Sequence, residues 1–210
     1  MSHFAWISLV DAGAAQLAAA QAWRDTSLLS QAAALPGAQN SHLYCAFNTA
    51  QLAVVTQLTA GAPRPTAAQP APAGMVLRQD LAELAYEKLQ PGTDHQEDAS
   101  LLYSVRFTVP GDWAAEFDRW YEEEHLAMIY GCRHWSMTRR YRYVQTTPGG
   151  PTHLALHYLS DARGLDAPQL KASRATPWRK KFLGQSWFTG GDKMIYFRQT
   201  LWPQPEAGDE

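Results

Sequence analysis

The order of hydrophobic patterns in the second half of the chain limits the folds that it can adopt. Residues 101–109 alternate between apolar and polar side chains, as in a strand with one buried face. A helical pattern follows over residues 112–131. The later elements are predicted as strands over 135–144 and 152–159, a helix over 165–183 and a strand over 193–202. This β-α-β-β-α-β order predicts an antiparallel sheet with its helices packed on one face.

The first half follows a shortened form of the same order. Its pattern predicts strands over 4–10, 42–47 and 52–58, a helix over 12–35, a proline-rich loop over 59–74, and either state over 77–89. We therefore predict an α+β fold of two ferredoxin-like βαββαβ halves, whose sheets pack face to face around a cavity. The predicted boundaries are a degenerate half at 1–90, a linker at 91–100, a second half at 101–202 and a flexible tail at 203–210.

The predicted helix over residues 112–131 carries a charged pair on an apolar stripe. Asp112 is its predicted N-cap and Gly131 its predicted stop. The stripe is formed by Trp113, Phe117, Trp120, Tyr121 and Met128. At about 100° per residue, Glu124 falls in the middle of this stripe and His125 at its edge. Glu124 is then either a structural group bonded to a backbone amide or an arginine, or one of two acid–base groups lining a cavity. Both alternatives stay open from the sequence.

The two faces of each predicted strand differ in polarity. We expect the more apolar faces to lie beneath the helices, among them Leu154, Leu156 and Tyr158. The opposite faces are expected to line the barrel interior, and they carry Phe4, Trp6, Ser8, His42, Tyr44, Ala46, Ser104, Arg106, Thr108, His153, Ala155 and His157. A single histidine is usually a satisfied, half-buried ring, but several on one face favour proton transfer or recognition of a carbonyl or phenol. His153 and His157 would lie about 13 Å apart along a strand, so we expect no shared metal ion.

Composition and charge argue against several functional classes. The net charge is −2 and no basic stripe is present, which argues against a nucleic-acid partner. Cys45 and Cys132 lie far apart, which predicts neither a disulfide framework nor a zinc site. The N-terminal residues lack the pattern of a signal peptide, and no apolar stretch reaches the ~18 residues of a membrane span. We therefore expect a soluble, cytoplasmic protein with no membrane partner.

Three segments resemble a known superfamily. The run EFDRWYEEEHLAMI, the strand TRRYRYV that follows it and the later ATPWRKKF together resemble the dimeric α/β-barrel superfamily, with the closest likeness to EthD-like proteins. The resemblance covers residues 101–202, and the first half joins it only by duplication. Ala127, which Met128 follows, stands where the W-Y-x-x-E-H-x-P pattern has proline. The resemblance implies a barrel with a ligand cavity, usually built from two chains and here from two fused halves. Members of this superfamily include isomerases, cyclases, lyases, oxygenases and haem-acting proteins. The fold alone therefore does not identify the reaction.

The first functional hypothesis is an enzyme without a metal or an organic cofactor. It would act as an isomerase, cyclase or lyase on a small aromatic, polyketide-like or lactone substrate. His125 would be the general acid or base, with Glu124 orienting it or acting itself. A second group would polarise a carbonyl or stabilise an enolate, and it contains His153, His157 and Arg106. The predicted substrate-binding residues are Trp6, His42, Tyr44 and Tyr141.

Two alternatives remain beside this hypothesis. One is an oxygenase or haem-binding member of the same superfamily, and the other is a non-catalytic small-molecule-binding or stress-response protein. The expected partner is a small molecule, and a homodimer is left open. The sequence leaves open which substrate is used, which bond reacts and whether oxygen takes part.

Overall fold

The polypeptide forms a closed antiparallel barrel. The computed structural model describes residues 3–13, 16–23, 27–46, 50–63, 65, 71–92, 99–146 and 149–199. The strands within these ranges are β1 (Phe4–Asp11), β2 (Ala38–Ala46), β3 (Gln51–Leu58), β4 (Val76–Leu89), β5 (Leu101–Phe107), β6 (Trp135–Gln145), β7 (His153–Leu159) and β8 (Asp192–Arg198). Around the barrel they are ordered β1-β3-β2-β8-β5-β7-β6-β4, and β4 pairs with β1 to close it. Closure leaves none of these strands with an unpaired edge.

Short helices pack on the outside of the barrel. They are α1 (Leu17–Trp23), α2 (Leu29–Ala33), α3 (Gly111–Arg119), a π-helical segment (Trp120–His125), α4 (Leu126–Ile129), a 3₁₀ segment (Ala162–Asp166), α5 (Pro168–Ser173), α6 (Pro177–Lys180) and α7 (Ser186–Thr189). The mixed α+β class is therefore confirmed. The first four strands follow one another as β4-β1-β3-β2 and the last four as β8-β5-β7-β6, which is the same internal order.

Two larger cores lie on opposite sides of the second-half sheet. The barrel interior is filled by a cluster that includes Tyr44, Met137, Tyr141, Tyr158 and Tyr196. Between the sheet and the second-half helices lies an aromatic cluster that includes Phe107, Phe117, Trp120, Phe182 and Phe188. The helices of the first half cover a smaller aliphatic cluster around Leu43 and Val54.

The face predicted for β7 is wrong. The residues that face the barrel interior are Leu154, Leu156 and Tyr158. Ala155 and His157 face the helices instead. Directly opposite residues share a face, and His157 stands opposite Tyr103, which packs against the helix-covered core. The barrel interior is packed with side chains, so it accepts the more apolar face of the strand.

The face predicted for β1 is also wrong, whereas those for β2 and β5 are confirmed. Ala5 and Ile7 point into the barrel, and Trp6 packs outside it in a small separate cluster. The small Ala5 suits an interior crowded by tyrosines. Tyr44 of β2 and Arg106 of β5 lie on the interior side as predicted.

Several predicted element boundaries change in the structure. The helix predicted from Asp112 begins at Gly111 with Pro110 as its N-cap, so Asp112 lies in the first turn. The ambiguous residues 77–89 belong to β4. The helix predicted over 165–183 is broken into the short segments that its two prolines require. The helix predicted over 12–35 is divided into α1 and α2. Residues 93–98 of the predicted linker and the predicted tail at 203–210 lie outside the described residues.

A substitution at a glycine beside the aromatic cluster tests how tightly the helices pack on the sheet. A Cβ atom at Gly191 would lie 2.2 Å from Cε1 of Phe107. The Phe107 ring cannot easily move, because it stacks on Phe188 at 5.4 Å and meets Phe117 edge-on at 5.2 Å. We expect Gly191→Ala to lower the free energy of unfolding by about 1–3 kcal/mol. Gly184→Ala is the matched control, because nothing lies within 4 Å of its added Cβ. Equal denaturation midpoints for the two variants would contradict this packing.

Candidate functional site

A cavity of about 390 Å³ lies between the outer face of the second-half sheet and the helices that cover it. This volume falls in the range of small-molecule pockets. Its walls are formed by Tyr103, Val105, Phe107, Trp120, Tyr121, His125, His157, Leu170, Arg174, Arg179, Phe188 and Lys193. The cavity is therefore outside the barrel and beneath the helices, whereas the sequence analysis placed it inside the barrel.

The π-helical segment supplies one wall of the cavity. Trp120, Tyr121 and His125 all come from it, and the rings of Trp120 and His125 stack with centroids 5.1 Å apart. The wider winding of a π-helix brings residues five apart onto the same face. Projection at the α-helical angle could not reveal this, so it placed Glu124 rather than His125 in the middle of the stripe.

Glu124 lies behind this wall and holds two helical segments together. Its Oε1 accepts hydrogen bonds from Trp120 Nε1 at 3.0 Å and from Thr176 Oγ1 at 2.6 Å. Thr176 is in turn the N-cap of α6, where its side chain accepts from the Arg179 backbone N–H at 3.2 Å. These contacts favour the structural alternative for Glu124. The carboxylate bonds to Trp120 and Thr176 rather than to His125.

His157 lies at the floor of the cavity with both ring nitrogens bonded. Its Nε2 is 2.8 Å from the Tyr121 hydroxyl and its Nδ1 is 2.9 Å from the Thr138 hydroxyl. Stacking on Tyr103 at 5.8 Å and on Tyr121 at 6.0 Å fixes the plane of the ring. The imidazole is therefore held in one orientation.

The charged groups of the cavity wall are all cationic. Arg174, Arg179 and Lys193 line it, and its lining contains no acidic residue. Within the described ranges, none of the three forms an ion pair with a carboxylate. The Arg179 Nη1 donates to the Arg174 carbonyl at 2.9 Å, and its guanidinium lies 5.2 Å from the centroid of Phe188. The cavity is thus an aromatic pocket with uncompensated positive charge.

This environment keeps the two imidazoles neutral. Burial, together with the charges of Arg179, Arg174 and Arg140, lowers the pKa of His125 to about 3. Burial is also the main cause that lowers the pKa of His157 well below its usual range. Burial raises the pKa of the Tyr121 phenol, so it stays protonated. A bound anion would offset the arginine charges and raise the pKa of His125.

A buried ion-pair cluster supports the cavity wall from behind. Arg140 of β6 is only 3% exposed and lies 2.5 Å from both Asp118 and Glu122 of the helix. Its guanidinium also lies 4.5 Å from the centroid of Tyr121. Asp118 is shared with Arg142. These contacts fix the π-helical segment against the sheet.

The predicted site residues do not converge on one place. His125 and His157 both line the cavity. His153 lies beside Asp118, at 3.7 Å from its carboxylate. Arg106 is on the interior side of β5 and pairs with Asp192.

The four predicted substrate-binding residues are also spread over the barrel. Tyr44 and Tyr141 belong to the interior core, where the Tyr141 hydroxyl contacts Gln57 at 3.1 Å. His42 lies 3.0 Å from Arg198, and Trp6 is buried outside the barrel. The sequence analysis missed Tyr121, Arg174, Arg179 and Lys193. Tyr121 and Arg179 had a signal, because they lie in the EFDRWYEEEHLAMI and ATPWRKKF segments.

No helix among the described residues is long and apolar enough to cross a membrane. No group of three or more His, Cys, Asp or Glu side chains within the described ranges could hold a metal ion.

The protonation of His125 can be tested by an NMR titration. We expect its ring to stay neutral down to about pH 4, because burial and the nearby arginines lower its pKa to about 3. The unfolded chain binds a proton at this residue below about pH 6.5, whereas the folded chain does not. The free energy of unfolding should therefore fall as the pH is lowered through that range, and less steeply in His125→Gln. A ring that titrates near pH ~6.5 would contradict this environment.

Comparisons with known proteins give information on the fold. No protein-family model and no curated protein matches this sequence. Several solved structures match over nearly the full chain. An anthrone oxidase-like protein is similar with a TM-score of 0.63 at 10% identity, covering 94% of this chain and 92% of that chain.

Two further structures have related descriptions. A putative monooxygenase from Fusobacterium nucleatum has a TM-score of 0.57 at 7% identity, covering 95% of this chain and 93% of that chain. A heme-degrading enzyme from Listeria monocytogenes has a TM-score of 0.51 at 9% identity, covering 93% of this chain and 99% of that chain. Identities this low establish the fold alone. The chain therefore shares a ferredoxin-like α/β-barrel fold with these structures, while the superfamily and its EthD-like subgroup stay predictions.

Proposed function

We propose that the cavity binds a planar aromatic anion and that the protein is an oxygenase acting on such a substrate without an organic cofactor. The observation that carries this proposal is the cationic lining: Arg174, Arg179 and Lys193 face aromatic walls and have no carboxylate partner among the described residues. Arg179 is half-buried and Arg174 and Lys193 are exposed, so the lining attracts a ligand that brings a negative charge. The anthrone oxidase-like and monooxygenase descriptions of similar structures support the same class of reaction.

The cations can make a weakly acidic substrate ionise. A phenol or an activated methylene gives an anion whose charge develops next to Arg179 and Arg174. Preorganised positive groups in a site with little water stabilise such charge strongly. The resulting anion is electron-rich and can donate electrons to molecular oxygen. In an anthrone-type substrate, one oxygen atom becomes the new carbonyl oxygen, and the other leaves as water with the two methylene hydrogens. The substrate loses four electrons and oxygen gains four, so no further reductant is needed.

His125 is the proposed acceptor of the substrate proton. Its ring lines the cavity and stacks on Trp120. The ring is neutral in the free protein and can therefore accept a proton. As the substrate anion forms, its charge offsets the arginines that hold down the pKa of His125. The isomerase, cyclase and lyase hypotheses use the same deprotonation, and the names of the similar structures favour oxygenation over them.

We infer a tandem duplication with halves at 1–90 and 101–202 because the two groups of four strands have the same internal order. Only the second half carries the cavity residues, so one catalytic cavity is expected per chain. Assembly as a homodimer stays a prediction.

Oxygen uptake with anthrone as substrate tests the proposed function. Arg179→Met should lower kcat/KM by about 10²-fold, because it removes a cation from the developing anion and keeps most of the side-chain stem. Lys180→Met is the matched control on the same helix, because Lys180 is exposed and outside the cavity lining. The absence of substrate-dependent oxygen uptake in the unmodified protein would reject the oxygenase assignment. Equal kinetics for the two variants would reject the role of the cations.

Haem binding is a second candidate, favoured by one observation. The buried Nδ1 of His125 has no hydrogen-bond partner among the described residues, so this imidazole would be the residue that holds the haem iron. His157 is less suitable, because hydroxyl groups occupy both of its nitrogens. Arg174, Arg179 and Lys193 could hold the haem carboxylates, so the residues present fit the group. Bound haem would supply an iron that binds and activates oxygen.

Addition of haem to the purified protein separates the two candidates. Haem binding predicts a Soret band that is lost in His125→Ala and kept in His134→Ala, since His134 is not part of the lining. No band in the unmodified protein, or a band that persists in His125→Ala, would remove this candidate. Binding of aromatic anions without oxygen uptake or a Soret band would instead indicate the non-catalytic alternative.

A further inference from the structure

The three cations of the cavity come from two different parts of the fold. Arg174 and Arg179 belong to the helical layer, and the Arg179 Nη1 donates to the Arg174 carbonyl oxygen at 2.9 Å, so these two residues lie together. Lys193 belongs to β8 and reaches the same cavity from the sheet. The arginines and the lysine can therefore contact different groups of one ligand.

Strand pairing places Lys193 away from the histidine of the cavity floor. Lys193 stands opposite Val105 of β5. Two residues further along β8, Ile195 stands opposite Tyr103, and Tyr103 stands opposite His157 of β7 on its other side. Two strand spacings across the sheet and two residues along a strand thus separate Lys193 from His157, which is about 12 Å between their Cα atoms. The two residues mark well-separated ends of the cavity floor.

These two ends differ in their access to water. His157 is 1% exposed and Tyr121 is 3% exposed, whereas the side chain of Lys193 is exposed. Removing an ionised carboxylate from water is costly, and a neutral phenol or methylene group costs far less. The buried end therefore suits a weakly acidic group that enters uncharged. The exposed end suits a group that is always ionised and stays partly hydrated.

No acidic side chain in the part of the chain that the structure describes competes for Lys193. The adjacent Asp192 pairs with Arg106, which lies on the interior side of β5. Lys193 forms no ion pair with a described carboxylate, and the cavity lining contains no acidic residue. The ammonium group is therefore available to an anionic ligand.

We propose that the substrate is an aromatic carboxylate, whose carboxylate group lies at Lys193 and whose weakly acidic O–H or C–H group lies at the buried end beside Arg179 and His125. This inference rests on the proposed function, which supplies the aromatic ligand and its ionising group. Lys193 is then a specificity-determining residue. It selects ligands that carry two acidic groups far apart on a fused ring system, and no bond forms or breaks at its side chain.

Calorimetric titration with three naphthalene ligands tests this selection without oxygen chemistry. The ligand 6-hydroxy-2-naphthoate carries its hydroxyl and carboxylate at opposite ends of two fused rings. Its isomer 3-hydroxy-2-naphthoate carries both groups on adjacent carbons, and 2-naphthol has no carboxylate. We expect the 6-hydroxy isomer to bind about fivefold more tightly than either of the others, as one partly hydrated ion pair allows. Added salt should reduce this advantage.

A pair of lysine variants assigns the advantage to one side chain. Lys193→Met removes the charge and keeps most of the stem, and we expect it to abolish the advantage of 6-hydroxy-2-naphthoate over both other ligands. Lys180→Met is the matched control, because Lys180 is exposed and outside the cavity lining. This control should keep the full advantage.

The outcomes separate this inference from the proposed function. An advantage that is lost in Lys193→Met and kept in Lys180→Met supports the inference. Equal affinities of the two isomers for the unmodified protein, no measurable binding of either, or an advantage that survives Lys193→Met overturns it. A merely structural role for Lys193 predicts that all three ligands are weakened by the same factor, which also overturns it.

Oxygen uptake with anthrone, measured on the same preparations, completes the separation. If the advantage depends on Lys193 but anthrone causes no oxygen uptake, the selection of an aromatic carboxylate stands and the oxygenase assignment falls. If anthrone is oxidised while the two hydroxynaphthoates bind equally, the proposed function stands and this inference falls.

Discussion

Closure of the eight strands into a barrel is the constraint on which the rest of the structure depends. Every described strand is paired on both sides, so the sheet has an inner and an outer face all round. The inner face is filled by Tyr44, Tyr141, Tyr158 and their apolar neighbours. Polar groups that need to reach a ligand are therefore on the outer face, where helices cover them. The cavity beneath these helices follows from this division.

The charged groups around the cavity form two layers, one behind its wall and one in the wall itself. Behind the wall, Arg140 is neutralised by Asp118 and Glu122 and fixes the helix to the sheet. A buried ion pair of this kind is weak evidence for added stability, but breaking it would leave an unpaired buried charge. In the wall, Arg174 and Arg179 have no such partner among the described residues. Burial is the main cause that keeps both imidazoles neutral, and the charges of Arg179 and Arg174 lower the pKa of His125 further. A neutral imidazole can accept a proton from the ligand, whereas a protonated one cannot.

The sequence predicted the element types well because the alternation and the helical spacing are local signals. It could not predict which face of β7 turns inward, because a period of two is the same from either side. The pairing of His157 with Tyr103 and Thr138 decides that question, and register depends on distant strands. His125 rather than Glu124 lines the cavity, because the helix is π-wound at these residues. Arg174 and Lys193 had no local signal, since separate segments bring them together only in the folded chain.

The most direct test of whether this cavity is the functional site is a crystal structure of the protein with anthrone bound. We expect difference density for a flat ligand between the barrel sheet and the helices, in contact with Trp120 and Phe188 and with its oxygen facing Arg179. We also expect His125 and Tyr121 to contact the ligand. Density in the barrel interior, or a ligand that binds only at the outer surface, would contradict the assignment of this cavity as the functional site.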